Sequence, residues 1–344
     1  MRRQDPTQRV TAVATAVIAL LALTPALSCA DEPPAPPKPK TVDVEFKVGS
    51  WLSTGETKWS HNASMLSTLG GNPTSALTYK DVGTNIIEFG GKVTVLQRVF
   101  LRADYGFGGV GGGRMTDDDY VSAAGATFYG TSTPGAQLVS RTNSDINGND
   151  VRYFNADLGV TFFTFPEQKG SLSAFIGYQY WREAYSATGV TQVVCTAVGT
   201  FCNAAGTVSN VGQTVISNTT SWNSLKLGLE GDYNVWSRLT LGGKAAFIPY
   251  TSLDNRDVHY LRTDRAQNPS FQMTGSGIGF NAEGTASVRL VSTLFFDLGY
   301  RFWYLNVSDG TWQSFSRTGA VSTAQLKELS STRQGLTLGI RYTF

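Results

Sequence analysis

Two short acidic segments contain the residues best suited to chemistry, and the first is Asp257-Val258-His259. Because Asp257 and His259 are two residues apart, an extended backbone directs both side chains to the same face. A carboxylate beside an imidazole fixes the tautomer of the ring and raises its basicity, as a general base requires. The pair therefore predicts a general base. The alternative is an exposed loop histidine with an incidental acidic neighbour.

The second segment runs from Met115 to Tyr120 and contains Asp117 and Asp119, which are also two residues apart. Two carboxyl groups held together raise one another's pKa and can hold a water molecule between them. Alternatives are a calcium-binding rim and a solvated acidic loop. The chain has only 2 histidines, so a hydrolase that pairs serine or cysteine with histidine has few candidates for its base.

The composition limits the elements that could position these groups. The 344 residues include 37 glycines, 12% are aromatic, 16% are charged, and the net charge is +2. The slightly negative mean hydropathy of −0.13 argues against a bundle of membrane-spanning helices. The weak charge argues against a nucleic-acid partner, and the 41% of hydrophobic residues argue against disorder. An all-β protein remains, either a soluble sandwich or a membrane barrel.

Apolar and polar residues alternate with a period of two from Thr41 to the last residue, which predicts about ten strands. Alternation alone does not exclude a sandwich. Aromatic residues at the strand ends, strictly alternating tight and long connections, and the aromatic terminal segment Tyr342-Thr343-Phe344 favour a barrel. We therefore predict an all-β fold, a transmembrane antiparallel up-and-down β-barrel with long extracellular loops and short periplasmic turns.

The long loops are predicted at 61–75, 111–150, 186–220, 252–268 and 306–332. An even number of strands places both termini in the periplasm, so these loops face the cell exterior of a bacterial outer membrane. Cys195 and Cys202 lie in a polar segment of the third loop and predict a local disulfide. Two cysteines without a nearby histidine do not make a zinc site, so we expect no metal.

The N-terminus indicates export. Arginines at positions 2, 3 and 9 precede an apolar run at 10–23 and the small residues Ser28-Cys29-Ala30. Residues 1–30 are therefore predicted to be a signal peptide. The alternative is a lipoprotein signal that lipidates Cys29, although the usual leucine three residues earlier is absent. Residues 31–40 are proline-rich and predict a periplasmic spacer, and residues 41–344 form the barrel.

The order of these motifs resembles the omptin family of ten-stranded outer-membrane endopeptidases. Residues 113–120 resemble the segment with the catalytic aspartate pair, and residues 257–260 resemble the segment with the catalytic Asp-x-His. Weaker matches lie at 55–58, 77–80, 177–179 and the C-terminus. The resemblance implies that His259 deprotonates a water, that Asp257 orients the ring, and that Asp117 and Asp119 hold the water. It implies neither a cofactor nor a covalent intermediate.

The sequence departs from the family in the substrate pocket, to which the resemblance assigns Trp59, Met115 and Asp254. The acid at the floor of the family's pocket corresponds to Trp59, which cannot pair with a basic side chain. Arg256 looks inserted beside Asp254 and could fill or neutralise the site. Cleavage between basic residues is therefore not expected even where the hydrolytic centre is retained.

Partners follow from the same resemblance. Tyr178 and Arg182 match the family's lipopolysaccharide site on the outer wall, whereas Tyr180 replaces an acid. We expect outer-membrane lipid, lipopolysaccharide (as a requirement for activity) and a peptide or protein substrate as partners of a monomer. The alternative is a non-enzymatic barrel serving as a porin, adhesin or structural protein. Inward charges of both signs disfavour a porin, because about ten strands leave little lumen.

Overall fold

The computed structural model describes residues 42–131 and 137–344. The sheet contains β1 (Val42–Asn62), β2 (Gly70–Val95), β3 (Val99–Val121), β4 (Gln137–Ile146), β5 (Asp150–Thr164), β6 (Gly170–Cys195), β7 (Val208–Trp236), β8 (Leu239–His259), β9 (Phe271–Val291), β10 (Leu294–Phe315) and β11 (Val321–Thr343). Helix α1 (Ala123–Tyr129) follows β3, and a 3-10 turn (Pro166–Gln168) precedes β6. The predicted signal peptide, the spacer and Cys29 lie outside the described residues.

The sheet closes on itself, because β1 pairs with β11 as well as with β2. Strands β4 and β5 both pair with β3 and with β6, so together they occupy one strand position of the barrel. The interruption lies at 147–149, where Gly148 and Asn149 have positive φ angles of 91° and 81°. The closed sheet thus has ten strand positions and no free edge, as an antiparallel membrane barrel requires. The predicted fold is confirmed.

An apolar belt surrounds the half of the barrel nearer the termini, with outward side chains such as Phe46, Phe89, Leu101, Leu158 and Leu241. A membrane-spanning strand takes about 9–11 residues. Strands β1 and β7 have 21 and 29 residues, so the sheet continues well beyond the belt. No helix among the described residues is long and apolar enough to cross a bilayer.

Tight turns at 96–98, 165–169, 237–238 and 292–293 alternate with the longer connections as predicted, but the predicted long loops are mostly strand. Within the described residues the connections opposite the termini shrink to 63–69, 122–131, 196–207, 260–270 and 316–320. The physical reason is that both faces of a strand can be polar once it leaves the lipid. The alternation that marks a strand in sequence then fades although the backbone pairing continues.

Rings and ion pairs fill the middle of the barrel. Trp303 contacts Trp51 and Tyr153 edge-on, each at 4.9 Å between ring centroids. The Arg301 guanidinium pairs with Glu88 and, at 2.9 Å, with Glu283. Opposite charges therefore neutralise one another across the interior, and the packed rings leave little room for the conducting lumen of a general porin.

Candidate active site

A cleft of about 610 Å³ lies at the end of the barrel opposite the termini, with Asp117 and Asp119 on one wall and His259 on another. Asp117 lies ten residues beyond Phe107, the last strongly exposed apolar side chain of β3. At about 3.3 Å per residue, this separation places the cleft outside the membrane-spanning part of the sheet. The predicted catalytic residues therefore meet above the lipid, on strands rather than on loops.

The inward direction of the aspartate pair depends on a bulge in β3. The pairing of β3 with β2 skips Gly111, which adds one residue to β3. Below the bulge, odd-numbered side chains such as Leu101 face outward, whereas Asp117 and Asp119 face the interior above it. Because side chains alternate with a period of two, one extra residue exchanges the two faces. Simple continuation of the strand pattern would have put these aspartates on the outer wall.

Strand β8 uses the same device. Its pairing with β9 is irregular between Ile248 and Thr251. Leu241 faces outward below this irregularity, whereas Asp257 and His259 face inward above it. The sequence contains a signal for both bulges, namely the glycine-rich run at 106–113 and a proline at position 249 inside a strand.

The Asp257–His259 pair is fixed by contacts on both sides. Nε2 of His259 lies 3.3 Å from Oδ2 of the fully buried Asp257. The His259 backbone N–H donates to Oγ of Ser270 at 3.1 Å, and Gln267 Nε2 donates to the His259 carbonyl at 3.2 Å. Burial lowers the pKa of His259, but the Asp257 carboxylate outweighs it, so the net pKa is raised above 6.5. The imidazole is thus a strengthened base, as predicted for this pair.

The aspartate pair on β3 titrates at unusually high pH. Burial, followed by the charge of Asp119, raises the pKa of Asp117 to about 8. Burial also raises the pKa of Asp119 to about 6, although the positive charge of His259 opposes it. Ser75 Oγ donates to Oδ1 of Asp117 at 3.5 Å. Both carboxyl groups are therefore harder to ionise than isolated ones, and the pair retains a proton at neutral pH.

The acid between them, Asp118, points away from the cleft. Arg141 on β4 donates to its two carboxylate oxygens at 2.6 and 2.8 Å.

Among the residues the structure describes, no three or more His, Cys, Asp or Glu side chains are grouped so that they could hold a metal ion.

A row of five aromatic rings lines the cleft from His259 to Trp59. The rings of His259 and Phe271 are 4.8 Å apart, and those of Phe271 and Trp312 are 5.2 Å apart. Trp312 stacks on His61 at 4.1 Å, and His61 lies 5.8 Å from Trp59. Burial and the charge of His259 lower the pKa of His61 to about 3, so His61 is neutral. We call these five residues the ring row.

Sequence reasoning missed several members of this site. His61 was predicted in a loop, yet it shares the inward, odd-numbered face of β1 with Trp59. Phe271 and Trp312 come from β9 and β10 and had no local signal. Tyr79 is fully buried, and burial followed by the charges of Asp257 and Asp117 raises its pKa well above 10. Its phenol therefore stays neutral.

The structure brings together two of the three residues predicted for the substrate pocket. Trp59 and Met115 line the cleft, but Asp254 does not. Asp254 is three residues from Asp257 on an extended strand and so faces the opposite side. There it pairs with Arg256 at 3.2 Å and accepts a hydrogen bond from Gln272 at 2.7 Å. Arg256 consequently does not fill or neutralise the site.

The other predicted residues lie apart from the cleft. Tyr178 and Arg182 are on the outer face of β6, where Tyr178 donates to Asn223 at 2.6 Å and Arg182 to Asp150 at 2.7 Å. Cys195 and Cys202 form a disulfide that joins the end of β6 to the connection that follows.

Known proteins match the fold more strongly than the sequence. Outer membrane protease OmpT from Escherichia coli superposes with a TM-score of 0.72 at 16% identity, over 88% of this chain and 97% of OmpT. At that identity the likeness shows the fold alone. The NalP translocator domain from Neisseria meningitidis (TM-score 0.33, 10% identity, 98% of this chain and 96% of that one) is too dissimilar to support an argument.

Sequence comparison identifies the family. No curated protein sequence matches the chain. The family model described as Pom, Protochlamydia outer membrane protein, matches residues 51–344, which is most of the chain. The chain therefore belongs to the Protochlamydia outer membrane protein family and folds as an omptin-like outer-membrane barrel.

Proposed function

We propose that this protein is an outer-membrane endopeptidase whose cleft faces the cell exterior and activates a water molecule for peptide hydrolysis. One observation supports this above the others: His259, with the buried Asp257 behind it, and the Asp117–Asp119 pair meet at one cleft, and their charges shift one another's pKa. The proposal agrees with the activity of OmpT, an outer membrane protease with the same fold.

In the proposed reaction His259 is the general base. Its Nε2–H donates to Asp257, which leaves Nδ1 to accept a proton from water. The ionised Asp119 accepts a hydrogen bond from that water, and the protonated Asp117 donates one without adding a second negative charge. The water oxygen bonds to the peptide carbonyl carbon. The proton on His259 then passes to the departing amine as the C–N bond breaks.

The proposal is tested with purified protein refolded with lipopolysaccharide and a library of blocked peptides. We expect the wild type to cleave members of the library, and His259→Ala and Asp117→Ala to cleave none at a measurable rate. Asp118→Asn is the matched control, because its side chain faces away from the cleft. Equal inactivity of wild type and variants across the library would sink the proposal.

The pH profile of kcat/KM is expected to be bell-shaped. His259 accepts a proton only when neutral, so activity falls about tenfold per pH unit as pH drops below its raised pKa. Ionisation of Asp117 near its pKa of about 8 removes a hydrogen-bond donor and produces the alkaline limb. The Asp117→Asn protein should keep the acid limb and lose the alkaline one. A profile that is flat over this range contradicts these assignments.

We also propose that the outer wall binds a phosphate of lipopolysaccharide through Arg182, with Tyr178 packing against the lipid. Arg182 already shares Asp150 with Arg152, so a phosphate would find two guanidinium groups there. We expect Arg182→Ala to weaken lipopolysaccharide binding about tenfold, measured by titration in detergent micelles. Lys169→Ala, a lysine at a tight turn, should not change it. Equal affinities of all three proteins would contradict the site.

A non-enzymatic adhesin is the second candidate, and one observation favours it. The open rim exposes Met65, Leu66, Phe128 and Val198, with Met65 96% exposed. Exposed apolar groups of this kind mark interaction surfaces. The peptide library separates the two functions, because an adhesin cleaves nothing.

A further inference from the structure

Of the five rings in the ring row, the proposed reaction uses only that of His259. Trp59 lies at its far end, where it is 98% buried, and its Nε1 has no hydrogen-bond partner among the described residues. The same is true of Nδ1 of His61 and Nε1 of Trp312. Indole nitrogens only donate hydrogen bonds, so neither Trp59 nor Trp312 can accept one from a charged amine or guanidinium.

The charges around the cleft point the same way. Within the described part of the chain, the acids lining it are Asp117 and Asp119, both on β3, and the proposed reaction uses both. Arg262 and Arg265 also line the cleft and share a single carboxylate, Asp264, at 2.8 and 3.3 Å. A basic substrate side chain would meet two guanidinium groups and find no free carboxylate, which is costly for a desolvated charge.

We propose that the ring row is the primary specificity pocket and takes an uncharged aromatic side chain of a peptide, which it selects over a basic one. The rings of the row lie 4.1 to 5.8 Å from one another and together line the cleft, so an incoming ring can pack against them offset or edge-on, as aromatic groups prefer. This inference rests on the proposed function, because it defines the substrate class of the same cleft.

Binding rather than cleavage tests it, so the result does not depend on turnover. The full-length Asp257→Asn protein, folded in detergent with lipopolysaccharide, is titrated with three blocked pentapeptides of glycine that carry tyrosine, arginine or alanine at the centre. Calorimetry or intrinsic fluorescence gives each Kd. We expect the tyrosine peptide to bind at least about tenfold more tightly than the other two.

Substitutions in the ring row give the second arm. Trp59→Glu supplies a carboxylate and is expected to reverse the order in favour of arginine, whereas Trp59→Phe retains a ring and should retain the preference. Trp312→Leu should weaken the tyrosine peptide about tenfold without strengthening the arginine peptide. Trp236→Phe, at a tight turn far from the cleft, is the matched control for folding and fluorescence. A heat-dependent shift in gel mobility identifies any variant that does not fold.

The outcomes separate the inference from the function. Equal or tighter binding of the arginine peptide, or binding of neither peptide, overturns the inference even where the wild type cleaves its library. Tight binding of the tyrosine peptide to Asp257→Asn, together with a wild type that cleaves no member of its library, supports the inference and overturns the proposed function.

Discussion

The Asp257→Asn protein is expected to fold and to lose about 10³- to 10⁴-fold in kcat/KM. Oδ2 of Asp257 accepts a hydrogen bond from Nε2–H of His259 and so keeps Nδ1 free to take a proton. An asparagine amide can donate to Nε2 instead, which moves the ring proton to Nδ1 and blocks the base. The substitution also removes the charge that raises the pKa of His259.

Asp254→Asn is the matched control, since it makes the same chemical change three residues away on the opposite face of β8. For both proteins kcat/KM is measured on the peptide of the library that is cleaved fastest, and far-ultraviolet circular dichroism establishes that each is folded. We expect kcat/KM of Asp254→Asn to stay within about twofold of wild type, because substitution of an exposed side chain outside the site has a small effect. A folded Asp257→Asn protein with nearly full activity would exclude the dyad.

The sequence was sufficient to predict the barrel and the identity of its acidic clusters. A period of two survives wherever one face meets lipid, so the strands of the belt could be counted directly. The spacing of Asp257 and His259 likewise requires a shared face on any extended strand. Neither inference needs contacts between distant residues.

Other features depend on contacts that a single sequence does not display. The direction of Asp117 is set by the bulge at Gly111, and a glycine-rich run marks such a bulge without fixing its position. His61, Phe271 and Trp312 come together from three strands only when the barrel closes. The position of Asp254 away from the cleft is a similar case, because the resemblance assigns it to a pocket without regard to the face of the strand on which it lies.

The second large effect concerns the buried ion pair beneath the cleft. Arg333 and Glu183 are both fully buried, and Nη2 lies 2.8 Å from Oε1. Ser53 Oγ and the Tyr185 hydroxyl accept further hydrogen bonds from the guanidinium at 3.0 and 3.2 Å. Thr57 donates to the other carboxylate oxygen at 2.9 Å. Both charged groups are therefore hydrogen-bonded to each other and to neighbouring side chains.

Removing one partner should cost far more than removing both. Glu183→Leu leaves a buried guanidinium without its counter-charge and is expected to lower the free energy of unfolding by about 3–5 kcal/mol. The double variant Glu183→Leu/Arg333→Met buries apolar groups of similar size and should recover most of that loss. The free energy of unfolding of each protein is measured by denaturant unfolding in lipid vesicles, followed by tryptophan fluorescence.

The exposed pair Lys58–Glu328 is the matched comparison, with its charged atoms 3.6 Å apart and both side chains 44% exposed. Replacing Glu328 with leucine should change stability by less than about 1 kcal/mol. A Glu183→Leu effect no larger than this would mean that water reaches Arg333. The pair also bears on the cleft, because Tyr185 packs on Tyr79 at 5.5 Å between ring centroids. The phenol of Tyr79, whose pKa is raised by burial, also lies close enough to Asp257 and Asp117 for their charges to raise that pKa further. Glu183→Leu should thus loosen the packing beside these aspartates and lower kcat/KM, whereas the double variant should restore stability and activity together.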